Sequence, residues 1–488
     1  MNKSIYQKIT RNTIFNGISH FWMILVALFL TPYIVNRIGI ERYGIWAILG
    51  VFTGYFGLLD MGIGTSFVKY ISEFYTKRRI EKINQMINTG FIFYSAFTLF
   101  IIIIGFLFID QVLNLFNITK DLHQEASFVF LLGIAVFGLA NMLSPFSAIQ
   151  TGLQRMDISN IVAIIISILN VFSVIFFLEK GYGLRGLMMN RLFIFTVSGI
   201  INIIIAFRLI PELRFNLWLF NQKMLRKLFV FGYKLQISRL AQLISFQTDK
   251  LLIAYFLDIS MVTFYQLGSS ITQKIRKIPL ILVSAFVPAV SELEAKKGKS
   301  NLSKLYLKGS KYLILISTPL IFFLITNAHL IMLAWMGEGY ERAGLAIQIL
   351  AIGYYTNLIS ASASSIAVGV AKTEFEMKSG ILLTVLNLIL SIVLIIKIGF
   401  LGVLIGTSLS LMVHSVFFMK MFHHYLEVSY RSFIQLLYTP IIACVFPSFL
   451  MIALNHYIYP ELFISNRFII LSLIALNGIL LGGIYITI

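Results

Sequence analysis

Seven Lys and Arg side chains lie within long apolar runs, at Arg191, Lys234, Arg239, Lys250, Lys274, Arg276 and Lys277, against two carboxylates, Asp60 and Asp249. A Lys or Arg at mid-membrane costs at least roughly 2.5 to 3.5 kcal/mol on insertion scales, so each needs a partner, a water-filled cavity or an interface within reach. A surplus of five positive charges suits an anion whose charge must cross a low-dielectric slab. Phosphate or diphosphate is the natural candidate.

The spacing of these residues gathers them on helix faces. At ~100° per residue, Gln236, Arg239, Gln242, Asp249 and Lys250 fall within an arc of about 140°, and Gln266, Ser270, Gln273, Lys274, Lys277 and Ser284 within about 100°. Asn12, Asn16, Ser19 and His20 continue the theme near the N-terminus. These stripes are expected to line a common wet cavity, in which Arg239, Lys274 and Lys277, with His20, Gln242 and Gln273 beside them, face an anionic substrate. Arg191 and Arg276 divide between that role and a structural one. Lys234 and Lys250 lie close enough to an interface to snorkel. Asp249 reads either as the neutraliser of a neighbouring cation or as a coupling group. Asp60 shares a face with Gly50, Thr53, Gly57 and Gly64, a pattern of close helix packing, with coupling-ion binding as its second reading. Trp22, Trp46 and Tyr55 could touch sugar rings or anchor the chain at the interface.

Other chemistries find no support in the residue pattern. Met61-Gly62-Ile63-Gly64 lacks the spacing and acidic partner of a dinucleotide fold, and no phosphate-cradling G-x-x-x-x-G-K-[ST] occurs. His423-His424 with Glu427 reads as a solvated cytoplasmic loop, so no metal and no cofactor is expected. Cys444 is the only cysteine, which excludes a disulfide framework.

The elements that must position these residues are membrane spans. The 488 residues are 58% hydrophobic and 12% charged, about half the charge of a soluble domain. Apolar runs near the ~20 residues a span needs recur about fourteen times, the first at about 14–36, the seventh at 228–256, the eighth at 262–291 and the last pair at 435–456 and 465–487. This predicts an all-α integral membrane protein without an extramembrane domain. The formal charge of +19 is a topology signal rather than a nucleic-acid footprint. With both termini on the cytoplasmic side, the cytoplasmic segments hold 24 of the 39 Lys and Arg and the opposite loops 8.

An internal repeat organises the spans. A shift of 219 residues places Ser66-Phe67-Val68-Lys69-Tyr70-Ile71-Ser72-Glu73 on Ala285-Phe286-Val287-Pro288-Ala289-Val290-Ser291-Glu292, and His20 on Arg239. A shift of 217 places Gly152, Arg155, Asp157 and Asn170 on Gly369, Lys372, Glu374 and Asn387. Six helices per copy give both copies one orientation, hence two like bundles with a substrate site expected at their seam. The expected organisation is an N-terminal lobe over 1–215, a C-terminal lobe over 216–425 and an additional helix pair over 426–488.

Gly39-Ile40-Glu41-Arg42-Tyr43-Gly44-Ile45-Trp46, Gly57-Leu58-Leu59-Asp60-Met61-Gly62-Ile63-Gly64 and Gly152-Leu153-Gln154-Arg155, in that order, resemble the Wzx or RfbX type of polysaccharide-export flippase. Asp249-Lys250-Leu251-Leu252-Ile253 is similar to that family's Asp-Arg/Lys-aliphatic pattern. The resemblance implies the fold of the multidrug/oligosaccharidyl-lipid/polysaccharide exporter superfamily, with two six-helix lobes and two extra C-terminal helices. It implies an undecaprenyl-diphosphate-linked oligosaccharide as substrate, turned across the bacterial inner membrane for O-antigen or another surface polysaccharide. Arg239, Lys274 and Lys277 would hold the diphosphate while membrane lipids surround the prenyl tail. A monomer is expected, with a polymerase and other assembly proteins as potential partners and no nucleic acid. Two rivals stand beside this reading. A drug/cation antiporter of the same superfamily should show an acidic lumen, and a membrane polysaccharide polymerase or ligase should carry catalytic groups on a large external loop.

Overall fold

The computed structural model describes residues 3–59, 62–284, 286–370, 372–458 and 467–487, leaving out the side chains of 3–17, 20, 58–59, 233–242, 244–246, 282, 284 and 286–300. The described residues are helical almost throughout and contain no strand. The chain divides into two compact units, Met1–Leu243 with Asp258–Ser260, and Ile244–Leu257 with Met261–Ile488. The division falls inside one helix.

In the first unit, α1 (Lys3–Ile38), α2 (Ile40–Leu59), α3 (Ile63–Thr76), α4 (Ile80–Leu115), α5 (Lys120–Gly152), α6 (Met156–Glu179) and α7 (Gly183–Leu209) precede α8 (Gln222–Phe256). The second holds α9 (Ile259–Ser284), α10 (Phe286–Met336), α11 (Glu341–Gly369), α12 (Thr373–Ile398), α13 (Phe400–Leu426), α14 (Tyr430–Ala453) and α15 (Arg467–Thr487). Among the described residues, eleven of these are long and apolar enough to cross a membrane. Helix α9, which carries Lys274, Arg276 and Lys277, is not among the eleven.

The helices stop by a shared device. After α3, α4, α5 and α6, a residue with positive φ, Arg78, Asn117, Gln154 or Gly181, turns the chain back so that the next amide bonds a carbonyl of the last helical turn. Arg79 N donates to Phe74 O at 2.8 Å and Arg155 N to Gln150 O at 2.8 Å, which satisfies carbonyls that lipid could not. The loops are therefore short.

In two places the elements depart from the apolar runs. The second run is split, with Gly62 in a left-handed conformation at φ 73° before α3. The cationic stretch after the eighth run, expected as a cytoplasmic loop, is instead part of the 51-residue α10. Its Glu, Leu, Ala and Lys residues are strong helix formers, and at 1.5 Å per residue the helix is roughly 75 Å long, more than twice a hydrocarbon core.

Within each unit the helices pair by the same scheme. In the first, α4 packs on α5, α5 on α7 and α6 on α7; in the second, α10 packs on α11, α11 on α13 and α12 on α13. The repeat read from the sequence is thus a repeat of packing. Phe67, Tyr70, Phe74, Met86, Tyr94 and Phe146 anchor a buried core in the first unit. Tyr306, Phe418, Phe422 and Phe433 do so in the second, while α14 and α15 pack on α10.

Two local features of the first unit fix the entry to α8. Asn84 and Asn88 of α4 clamp the connecting segment, Asn84 donating to Glu212 O and accepting from Arg214 N, Asn88 donating to Arg214 O and accepting from Asn216 N. Gly62 then meets Gly232 so closely that a Cβ on Gly62 would stand 2.4 Å from the Gly232 carbonyl oxygen. Gly62→Ala combines a left-handed backbone with that clash and is expected to cost about 3 kcal/mol or more. Thermal melting of the purified chain would check it, with Gly50→Ala, whose Cβ meets nothing within 4 Å, as the neutral control.

Candidate functional site

The second unit contains a carboxylate sealed from solvent. Asp249, near the end of α8, is 0% exposed. Thr407 of α13 donates to Asp249 Oδ2 at 2.6 Å, and Tyr265 of α9 donates to the same oxygen. Ser391 of α12 approaches Oδ1 at 3.5 Å, and Asn387, one turn earlier, donates to Thr407 Oγ1 at 3.0 Å. Four helices therefore converge on one acid through neutral oxygens and an amide. Lys250, the adjacent residue, is 8% exposed and turns its ammonium to Gln247 Oε1 at 2.8 Å. That acceptor lies one turn earlier on the same helix. Asp249 does not line an open cavity; the polar face of α8 is packed at this level.

This convergence is asymmetric between the repeats. Shifting by 217 residues places Asn170 and Asn190 on Asn387 and Thr407, and in the first unit Asn190 donates to Asn170 Oδ1 at 2.9 Å while Ser173 donates to Asn190. The polar pair is duplicated. The acid is not, since the shift of 219 places Leu30 at the position of Asp249. A carboxylate with hydroxyl and amide donors around it can take up one proton or one small monovalent cation as its hard-oxygen ligand set.

A second set of charges lies on α9. Lys274 is partly buried and Lys277 exposed, one turn apart on the face that also carries Gln273. Among the described residues neither lysine has a carboxylate within ion-pair distance. Arg276 points elsewhere on the helix. Its guanidinium donates to Asn357 Oδ1 of α11 and lies 5.4 Å from the Tyr354 ring, so it ties α9 to α11. Arg191 of α7, in the first unit, lies 5.5 Å from the Trp46 ring and 5.9 Å from that of Phe195. These aromatic faces offset part of its desolvation without neutralising it.

Of the remaining expected site residues, Asp60 lies outside the described residues, as do the side chains of Arg239, Gln242 and His20, whose backbones are helical in α8 and α1. The sequence reading missed Tyr265, Ser391 and Thr407. The available signal was Asn387, already paired with Asn170 by the repeat, since an amide kept at one register in two copies of an apolar helix marks a polar contact. Among the described residues no three His, Cys, Asp or Glu come together as a metal ligand set.

Comparison with known proteins places this geometry. A family model described as polysaccharide biosynthesis protein matches residues 9–294. A candidate O-antigen transporter of Shigella flexneri is 23% identical over 72% of this chain and 82% of its own length. Among solved structures, the lipid II flippase MurJ in its inward closed conformation superposes with a TM-score of 0.73 at 15% identity, covering 97% of this chain and 98% of its own. An inward-facing multidrug resistance transporter of the MATE family superposes at 0.66 and 16% identity, over 85% of this chain and 94% of its own. The shared fold over nearly the whole chain bears out an all-α membrane protein of about fourteen spans.

Proposed function

Because the chain belongs to the polysaccharide biosynthesis protein family, we propose that it turns an undecaprenyl-diphosphate-linked oligosaccharide from the cytoplasmic to the outer leaflet of a bacterial inner membrane, for surface polysaccharide assembly. The chain is a multi-pass membrane transporter and not an enzyme, in keeping with its family and with the flippase and transporters that share its fold. The likeness to the exporter superfamily seen in the sequence motifs stands with these relatives.

The observation that carries the substrate assignment is the pair Lys274 and Lys277, without an acidic partner among the described residues, on one face of α9. Two ammonium groups kept in an apolar helix are costly unless they meet an anion, and a diphosphate offers several acceptor oxygens to each. Arg239 and Arg191 are proposed as further cations toward an anionic substrate. Asp249 is assigned to coupling, as the acid that takes up a proton or monovalent cation during the cycle. Both termini are placed in the cytoplasm, following the distribution of Lys and Arg.

The test is a reconstituted one. In proteoliposomes loaded with lipid-linked glycan extracted from the cells that make this chain, the glycan is expected to become accessible to an external lectin only when the chain is present. A chain that leaves glycan inaccessible but expels a fluorescent organic cation would instead be a drug antiporter.

A further inference from the structure

The first unit has an open cleft of about 640 Å³ lined by α1, α3, α5, α6 and α7, within the roughly 300 to 1,000 Å³ of sites that hold small ligands. Among the described residues, none that lines it is Asp, Glu, Lys, Arg or His, and none is aromatic. More than half of them carry a hydroxyl or amide. A polar lining this dense is unusual in helices that otherwise present apolar side chains to lipid. Among the described residues it offers no charge with which to hold an ion and no ring on which to stack a flat aromatic drug or nucleobase.

The polar groups are partly pre-organised. Gln150, 1% exposed, donates to Asn202 Oδ1 at 2.6 Å and accepts from Ser159 at 3.1 Å, which locks both amides in one orientation. Other groups remain open: among the described residues, the Thr151 and Ser167 hydroxyls and the Asn170 side-chain NH2 donate to no protein acceptor. Hydroxyls in helices ordinarily bond the carbonyl one turn back, as Ser95 and Thr98 do in α4. A neutral ligand with many hydroxyls would meet these donors, and its C–H faces would lie against Val162, Ala163 and Ile166.

We propose that this cleft is a subsite for neutral sugar residues of the transported glycan, separate from the cations of α9. The assignment rests on the flippase reading above. It gives the chain a means of telling a finished lipid-linked glycan from its bare lipid carrier, which has the same diphosphate and no sugar.

The experiment compares binding of two probes to the full chain in lipid nanodiscs: undecaprenyl diphosphate, and the lipid-linked glycan extracted from the cells that make the chain. The unaltered protein is expected to bind the glycan form about tenfold more tightly, the worth of two or three good hydrogen bonds. Thr151→Val with Ser167→Ala should reduce that preference to about twofold or less while leaving affinity for undecaprenyl diphosphate unchanged. Ala163→Leu, which fills the cleft without removing a polar group, should do the same and stands in should the double variant fail to fold. A preference that survives in either folded variant would overturn the sugar subsite alone. Failure of the unaltered chain to bind both probes would overturn the flippase reading with it.

Discussion

Replacing Arg239, Lys274 and Lys277 together by Gln is expected to abolish surface glycan while the chain remains inserted and abundant. The two effects run in opposite directions for a physical reason. Each cation removed from an apolar helix relieves an insertion cost of roughly 2.5 to 3.5 kcal/mol, so abundance should hold or rise. Each charge-assisted hydrogen bond to a phosphate oxygen lost is worth roughly 1.5 to 3 kcal/mol. Two such bonds from Lys274 and Lys277 alone amount to a hundredfold or more in affinity for the diphosphate. A merely structural set of cations would show the reverse, with falling abundance and glycan lost only in proportion. Quantitative immunoblotting of membranes beside a surface-glycan assay separates the cases, and normal glycan in the triple variant would remove the diphosphate role. Lys274→Arg with Lys277→Arg, which keeps both charges, should retain most export. Arg276→Gln should behave differently: its guanidinium is committed to Asn357 and Tyr354, so the expected loss is in thermal stability.

The helices were legible because lipid imposes a simple rule, about twenty apolar residues per crossing, and the repeat was legible because two copies of one packing scheme keep polar and glycine residues at matching registers. What lipid does not constrain was harder to read. The extension of α10 through its cationic stretch follows helix propensity rather than hydropathy, and the split at Gly62 follows a close backbone approach to Gly232, 170 positions away in the sequence. The helical wheel sets Arg276 off the face of Lys274 and Lys277, about 200° from the first and about 100° from the second. It could not say that Asn357 awaited it on another helix. The same wheel put Asp249 on the face of Arg239 but could not name its partners: Tyr265, Ser391 and Thr407 lie 16, 142 and 158 residues away. No periodicity within one helix can report such a convergence. The cleft of the first unit was not read because its lining groups are uncharged: Ser144, Ser147, Gln150 and Thr151 on α5, Ser159, Ser167 and Asn170 on α6, and Ser198 and Asn202 on α7 lie at helical spacing within each helix, and only the packing joins the three faces.

Asp249→Asn is expected to uncouple transport from any ion gradient while leaving the fold intact. The amide keeps an oxygen for the Thr407 hydroxyl, and its NH2 can donate to the Tyr265 or Ser391 oxygen, so the buried cluster stays satisfied and little stability is lost. What the substitution removes is the capacity to carry a changing charge. One elementary charge moving through 100 mV supplies about 2.3 kcal/mol, enough to hold lipid-linked glycan about fiftyfold enriched in one leaflet. In proteoliposomes under an imposed proton or sodium gradient, the unaltered chain should therefore build up glycan on one side, and Asp249→Asn should only equalise the leaflets. Asp249→Leu, which installs the residue found at Leu30 in the other repeat, should be equally uncoupled but less stable, since the hydroxyls of Tyr265 and Thr407 lose their acceptor. If Asp249→Asn sustains the same enrichment as the unaltered chain, the acid serves packing alone and the driving charge must enter elsewhere.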